Sequence, residues 1–543
     1  MNSPCVGLKL AFGLMLATFA VLPQHLEAVS RVTFPQGVAS GDVTPFSAVL
    51  WTRVQPALPN SSGEEAVTVE VALDSAFRRI HFRRTVNAQS NDDFTIKVVA
   101  LPLLPGQLYY FRWRHVSADS SIGTFRTAPA PDLSASARFT WTGDSDGTRV
   151  AGLPAWNNFE VFDAVRAEAG DFFIYLGDTI YADSAKRAAA AATLDDYRGV
   201  YKETRGYPAL QGLLQSVSTY AIWDDHEVRD DWSGQTVDPM LYANGRRSFN
   251  EYLPALDIDF AIAGCAGAPR FRVFRWGADV ELIVLDTHTC RSVDARAACT
   301  YPSPPLPPGT VDFGPTLPAA IRAANSAFFP PLSLIPHCVA TIDDPSRTLL
   351  GSLQKQLFED ALLASRARFT FVLSPSTIGQ TYLIPYSRWE GYAAERAEII
   401  RFIADNHLQN VVFLSTDDHR NLVHQVFDDR PPKPVSVARE FVTGPVAYAT
   451  DQALVLGFFG LDANTDCTTP TNAGRLGCRA LAAEQQIMTF AGVSCRHLNE
   501  YSYGLVEVDA ASRVATVTLK DDHGQVIHDQ LNPANACTAQ ITR

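Results

Sequence analysis

Four apolar runs in this chain each break off into a loop crowded with carboxylates or histidine, and that recurrence narrows the folds open to it. The runs occupy residues 139–142, 174–176, 220–223 and 411–414. They open onto Gly143-Asp144-Ser145-Asp146, Gly177-Asp178-Thr179-Ile180-Tyr181, Asp224-Asp225-His226-Glu227 and Thr416-Asp417-Asp418-His419. Short continuous apolar runs bounded by turn residues read as buried strands, and helical patterns lie between them at 353–365 and 393–406. Buried strands alternating with amphipathic helices make an α/β layered core. In such folds ligands gather beyond the carboxyl ends of the strands, so four acidic loops at that edge converge on one crevice.

Bringing Asp144, Asp178, Asp225 and Asp417 together is strongly repulsive without cations, which is the physical reason to expect metal. Carboxylate oxygen and imidazole nitrogen suit iron, manganese, zinc or calcium. Taken singly the signals differ in weight. Gly-Asp after a strand is an ordinary turn, and Tyr181 alone reads as a core tyrosine. Trp223-Asp224-Asp225-His226-Glu227 is harder to explain by packing, because four polar groups follow directly on an apolar strand. The net charge of −13 argues against a general nucleic-acid or anionic-membrane binder. It leaves an anionic substrate admissible, since a metal cluster makes its own positive field.

Length argues for more than one domain in these 543 residues. Residues 1–28 read as an export signal, with Lys9 the lone charge before an apolar run at 10–22 that is too short to span a membrane comfortably. A secreted or periplasmic chain with no membrane segment in its mature form is the expectation. Removing Cys5 with the signal leaves eight of the nine cysteines, all from residue 265 onward and none in a CxxC pair, which reads as disulfide staples in an oxidising compartment. Residues 29–128 alternate in strand fashion with turn signals between, a small immunoglobulin-like β-sandwich. Ala128-Pro129-Ala130-Pro131 reads as a linker, and 134–543 as the α/β domain that carries the acidic loops, the catalytic domain if those loops form a site.

These motifs resemble the PhoD-type alkaline phosphatases and phospholipase D enzymes, a branch of the calcineurin-like metallophosphoesterases. The resemblance is carried by residues 34–42 (Phe-Pro-Gln-Gly-Val-Ala-Ser-Gly-Asp), by Leu50-Trp51-Thr52-Arg53, by Gly177 to Tyr181, by Trp223 to Glu227 with the trailing Trp232, by Leu350 to Gln354, and in part by Thr416 to His419. It implies a layered metallophosphoesterase sandwich behind an N-terminal all-β domain. It implies a secreted, metal-dependent phosphoric ester hydrolase, acting on mono- or diesters through a hydroxide held between two ions. Asp178 would bridge the ions; Asp144, Tyr181 and His419 would complete one site, and Asp225 and Asp417 the other. Fe3+ with Ca2+ is the expected pair, with Zn2+ or Mn2+ as alternatives. His226 would protonate the leaving oxygen, and Arg149 and Arg229 are candidates to hold phosphate. The expected partner is a small phosphate ester or a phospholipid, the latter through phospholipase D action, met by a monomer. A non-catalytic envelope binding protein with decayed loops, and a metal hydrolase of acyl or nucleotide bonds, are the rival classes.

Three departures from the family pattern bear on the site. Asp144 stands where the family often has Cys, with Asp146 as a rival for that position; Thr416 replaces Gly in the last motif; and Asp286-Thr287-His288 replaces Asp-Thr-Arg. The strand at 369–373 leads into Ser374-Pro375-Ser376-Thr377, which offers no histidine ligand. No Arg-Arg pair stands near the start, so a general secretory route is expected.

Overall fold

The computed structural model describes Met1 and residues 31–57, 63–257, 260–302, 309–430 and 434–542. The expected export signal lies outside the described residues. Among them, no helix is long and apolar enough to cross a membrane.

Two large sheets form the core. In one, Ala137–Thr142, Phe172–Leu176 and Ser218–Ile222 run parallel side by side, and Ser502–Asp509 pairs antiparallel against the first of them. In the other, Val280–Val284, Phe369–Leu373, Val411–Ser415 and Val435–Val442 run parallel in that order. Every residue of Phe172–Leu176, Ser218–Ile222, Val280–Val284, Phe369–Leu373 and Val411–Ser415 is buried, so these strands have no exposed face, as strands covered on both sides require. The sheets meet face to face, with Phe139 edge-on to Phe371 at 5.1 Å between ring centroids. Trp141 fills the same seam and donates its indole N–H to the Ser415 carbonyl at 3.3 Å. Gly504 lies opposite Trp141 in register, and a Cβ there would come within 1.9 Å of the indole, which is why a strand interior tolerates glycine at that point. The expected layered α/β sandwich with helices on its faces is what the chain forms.

The N-terminal region is all-β, as its alternation predicts, and is tied closely to the α/β core. Glu64–Ala72, Ile80–Gln89, Leu108–His115 and Gly123–Arg126 make one sheet. Val38–Gly41, Ala48–Arg53 and Thr95–Ala100 extend the first large sheet, through Ser40 against Ser218 and Gly41 against Thr219. Gly41-Asp42 of the N-terminal motif serves this joint. A Cβ at Gly41 would sit 2.5 Å from the Thr219 carbonyl oxygen, and Asp42 pairs with Arg272 at 2.7 Å. Trp51 donates to the Glu251 carbonyl at 2.7 Å, and Arg205 stacks on its ring.

All eight cysteines expected to remain after export are paired: Cys265 with Cys290, Cys299 with Cys338, Cys467 with Cys478, and Cys495 with Cys537. Each bridge joins neighbours along the chain, so the staples fix individual loops.

Candidate metal centre

The four acidic loops emerge from strand ends where the two sheets meet. Asp144, Asp178, Asp417 and His419 all adopt left-handed backbone conformations, with φ of 54°, 46°, 64° and 54°. Non-glycine residues rarely adopt this region, and clusters of them mark sites where the surroundings impose strain. The glycines beside them answer to crowding. A Cβ at Gly143 would meet the Gly177 and Leu176 carbonyl oxygens at 2.8 Å, and one at Gly177, whose φ is 83°, would meet the Asp224 Cβ at 2.7 Å. Thr416 escapes both limits: its φ is not positive, and its hydroxyl donates to the Leu176 carbonyl at 2.6 Å. The departure from glycine in the last motif thus adds a tie between the two sheets.

Two triads of ligand-type side chains result, and they share one residue. Asp144, Asp178 and His419 have ligand atoms within 4.8 Å of one another, and so do Asp178, Asp225 and His226. Tyr181 joins the first, its hydroxyl 3.3 Å from His419 Nε2. Asp417 lines the adjoining cleft with Asp225, His226 and His419 but belongs to neither triad. Asp144 is 1% exposed, yet neither carboxylate oxygen has a hydrogen-bond partner. Asp146 is fully engaged, taking bonds from the Thr148 N–H, the Trp156 indole at 2.8 Å and the Ser184 hydroxyl at 2.6 Å. Of the two rivals, Asp144 is the one with free ligand atoms.

Electrostatics match that crowding. Burial, followed by the charges of Asp417 and Asp224, pushes the Asp144 carboxyl far above its usual range. Burial does the same to Asp178, with Asp225 and Asp224 adding to it. The Tyr181 hydroxyl is driven up by burial and then by Asp178 and Asp144. Burial holds His419 down to about 4, with the His226 charge adding to the effect, so its ring is neutral at working pH and able to ligate. Without cations these groups resist ionisation together, as crowded buried carboxylates do.

Supporting residues hold the loops. Glu227 is fully buried and accepts from the Thr179 N–H at 2.6 Å, the Thr179 hydroxyl at 2.7 Å and the Asp224 N–H at 2.9 Å. It therefore clamps the second and third loops together. His288 lies 2.8 Å from Asp224 and 3.0 Å from the Trp232 carbonyl, behind the same loop. Glu227→Ala leaves two buried N–H groups without an acceptor, at about 1–3 kcal/mol each. A thermal melt should show a clearly lowered Tm, and metal titration an affinity weaker by roughly 10- to 100-fold.

Several neighbours of the triads carry no readable motif. Asp183 takes the His226 Nδ1 at 2.6 Å, and its place two residues after Tyr181 was the one available hint. Tyr448 stacks on Tyr181 at 4.6 Å and meets His419 edge-on at 4.8 Å. Arg149 and Arg229, the expected phosphate holders, are turned elsewhere. Arg149 stacks on Tyr207 and donates to the Gly152 carbonyl; Arg229 donates to the Ala191 carbonyl at 2.6 Å. Neither lines the cleft, whereas Arg296 and Arg388 do, each beside an aspartate: Asp231 for Arg296 and Asp418 for Arg388.

Comparison with known proteins bears on this geometry. A family model described as "PhoD-like phosphatase" matches residues 150–519, well over half of the chain. The chain belongs to the PhoD-like phosphatase family. A second model, of the PhoD-like phosphatase N-terminal domain, matches residues 21–129. Alkaline phosphatase D of Bacillus subtilis (strain 168) is 27% identical over 447 residues, which cover 76% of this chain and 69% of that protein. A solved structure titled "Structure of PhoD" superposes with a TM-score of 0.68 at 21% identity, covering 94% of this chain and 89% of that one. A purple acid phosphatase from yellow lupin seeds superposes at 0.54 with 10% identity, covering 95% and 75%. At these identities the two structures speak for the fold alone. As a PhoD-like phosphatase the chain is a phosphoric ester hydrolase. Asp178, Tyr181, Asp225, His226, Asp417 and His419 all fall inside the matched span, and Asp144 lies just upstream of it.

Proposed function

We propose that this chain is an exported, metal-dependent alkaline phosphatase that hydrolyses phosphate mono- and diesters. The observation that carries the reading is the pair of ligand triads overlapping at Asp178. A carboxylate with an oxygen for each of two ions is the element that two-metal hydrolysis requires. The donor set fits such ions, because Asp144 offers two buried oxygens with no hydrogen-bond partner and Tyr181 offers a phenol that ionises only against strong positive charge. Asp144, Tyr181 and His419 would hold one ion, Asp225 and Asp417 the second, and Asp178 both. A phenolate with carboxylates and imidazole favours Fe3+, and a carboxylate pair suits Ca2+. When bound, such ions supply an activated water and neutralise phosphoryl charge.

The protein's own groups do the rest. His226 Nδ1 is held by Asp183, which leaves Nε2 free to give a proton to the departing oxygen. Although burial opposes it, the charges of Asp225, Asp178 and Asp183 raise the His226 pKa well above the imidazole range, which suits an acid working at alkaline pH. Arg296 and Arg388 replace Arg149 and Arg229 as the cations able to orient phosphate. The rival of a decayed binding protein is disfavoured, since a decayed site loses ligands first and this one keeps both triads. Export is supported by the four disulfides. A cleft of about 510 Å³ at the site favours diesters alongside monoesters, because a second substituent has room.

Exhaustive chelation of the purified protein should lower turnover of a simple monoester by at least about 100-fold, and Fe3+ with Ca2+ should restore it. Full activity in protein shown by elemental analysis to hold no ion would sink the reading.

A further inference from the structure

Residues 78–84 read Arg-Arg-Ile-His-Phe-Arg-Arg, four arginines and a histidine in seven positions with no acidic residue, in a chain whose net charge is −13. A basic run of this length marks a polyanion contact when it is exposed on one element. It occupies the turn before Ile80–Gln89 and the start of that strand, which is the outer strand of the N-terminal sheet and pairs only with Glu64–Ala72 among the described strands. The Arg78, Arg79 and Arg83 side chains are 83%, 69% and 60% exposed. Among the described residues, none from 31–128 lines the metal cleft, so the run lies outside the candidate reaction site.

The acids nearby do not neutralise it. The Asp74 carboxylate already accepts the Arg78 and Arg79 N–H groups at 3.2 and 2.9 Å, and both guanidinium groups stand off from it at 3.7 Å. Glu70, 2% exposed, is shared by three arginines: Arg83 at 2.7 Å, Arg112 at 2.9 Å and Arg114 at 3.8 Å. One carboxylate balances one of those charges; Asp119, 3.1 Å from Arg114, balances a second. Arg84 is exposed and has no acidic partner among the described residues. Register puts Arg83 opposite Glu70 and Arg84 opposite Val69, so the two point to opposite faces of the strand and the charge wraps the sheet edge.

We propose that this edge of the N-terminal sheet is a docking site for an acidic polysaccharide. The planar fork of arginine takes up carboxylate and sulfate oxygens in pairs. A flexible polymer can follow charge round an edge, whereas a lipid surface is flat and meets one face only. The basic run spans at most about 20 Å. Duplex nucleic acid, with about one charge per 1.7 Å of axis, would continue past it onto an acidic protein. A polymer of sparser charge is matched over that length.

The test uses the full protein and calorimetric titration with a heparin octasaccharide and an oligogalacturonate of the same length, which tell sulfate from carboxylate recognition. At least one is expected to bind, with an affinity that falls at least about 10-fold between roughly 50 and 200 mM salt. The triple variant Arg78→Gln, Arg79→Gln, Arg84→Gln should weaken binding by at least about 10-fold while ester turnover and Tm stay unchanged. Asp119→Asn, which releases Arg114, should tighten it, an effect that damage to the fold would not produce. A charge-matched control at exposed arginines elsewhere, Arg366→Gln, Arg475→Gln, Arg513→Gln, should leave binding as it was. No binding at low salt, or an equal loss in the control, overturns the proposal. So does tighter binding, through the same arginines, to a short DNA duplex or to vesicles of phosphatidylcholine with phosphatidylglycerol.

Discussion

Asp178→Asn is expected to yield a folded protein that retains neither ion and turns over phosphate esters on the order of a thousandfold more slowly. The reasoning starts from its position. Asp178 is the residue common to both triads, it is 1% exposed, and it occupies a left-handed conformation that aims it between the other loops. An amide has one oxygen acceptor where the carboxylate has two and carries no charge, so one substitution weakens both ion sites at once. Stability should move the opposite way. With no ion bound, Asp178 is pushed far above the usual carboxylate range by burial and by Asp225 and Asp224, so its ionised form opposes folding. Removing that charge should leave the metal-free variant at least as stable as the metal-free parent, by up to a few degrees in Tm. Elemental analysis, an initial-rate assay and a melt of both metal-free proteins make up the measurement. Unchanged turnover would defeat the bridging role, and a collapsed Tm would show that the residue is needed for folding instead.

Much of this centre could be read from the chain because its parts are local. Each ligand loop directly follows a five- or six-residue buried strand, so apolar run and acidic stop are adjacent in sequence. The α/β layering follows from the same alternation. What could not be read depends on contacts between distant residues. Nothing in residues 38–41 announces that they will hydrogen-bond to Ser218 and Thr219 and extend the catalytic sheet. Arg149 and Arg229 lie close to motifs in sequence, but a ring at Tyr207 and a carbonyl at Ala191 draw their guanidinium groups away from the cleft. Arg296, Arg388 and Tyr448 reach it from loops whose composition carries no signal. Trp156 and Ser184 satisfy the Asp146 carboxylate while both Asp144 oxygens stay without a partner, a difference that spacing does not carry. Spacing shows where carboxylates will gather; only packing shows which of them already has its hydrogen bonds.

His226→Ala should lower turnover by roughly 100- to 10,000-fold, the range for loss of a positioned proton donor, while both ions stay bound. The imidazole is stacked against Tyr181 at 4.0 Å and held through Nδ1 by Asp183, whose other oxygen takes the Asp230 N–H at 2.6 Å. That carboxylate fixes the ring and keeps the proton on Nδ1, so the group presented to the substrate is Nε2. A donor of this kind matters most when the leaving oxygen is a poor leaving group. The deficit should therefore be large for an alkyl ester and small for p-nitrophenyl esters, whose phenolate departs without help. Asp183→Asn, which loosens the ring without deleting it, should reproduce the same substrate dependence with a smaller loss of about 10-fold. His226 also belongs to the second triad, so its ring is close enough to ligate an ion. The two roles separate cleanly: a ligand's removal empties a site and slows good and poor leaving groups alike, whereas a donor's removal leaves the metal content whole and slows the poor ones most. Metal analysis of His226→Ala alongside rates on an alkyl and an aryl ester decides between them, and the hold of Asp183 on Nδ1 is the reason to expect the second pattern.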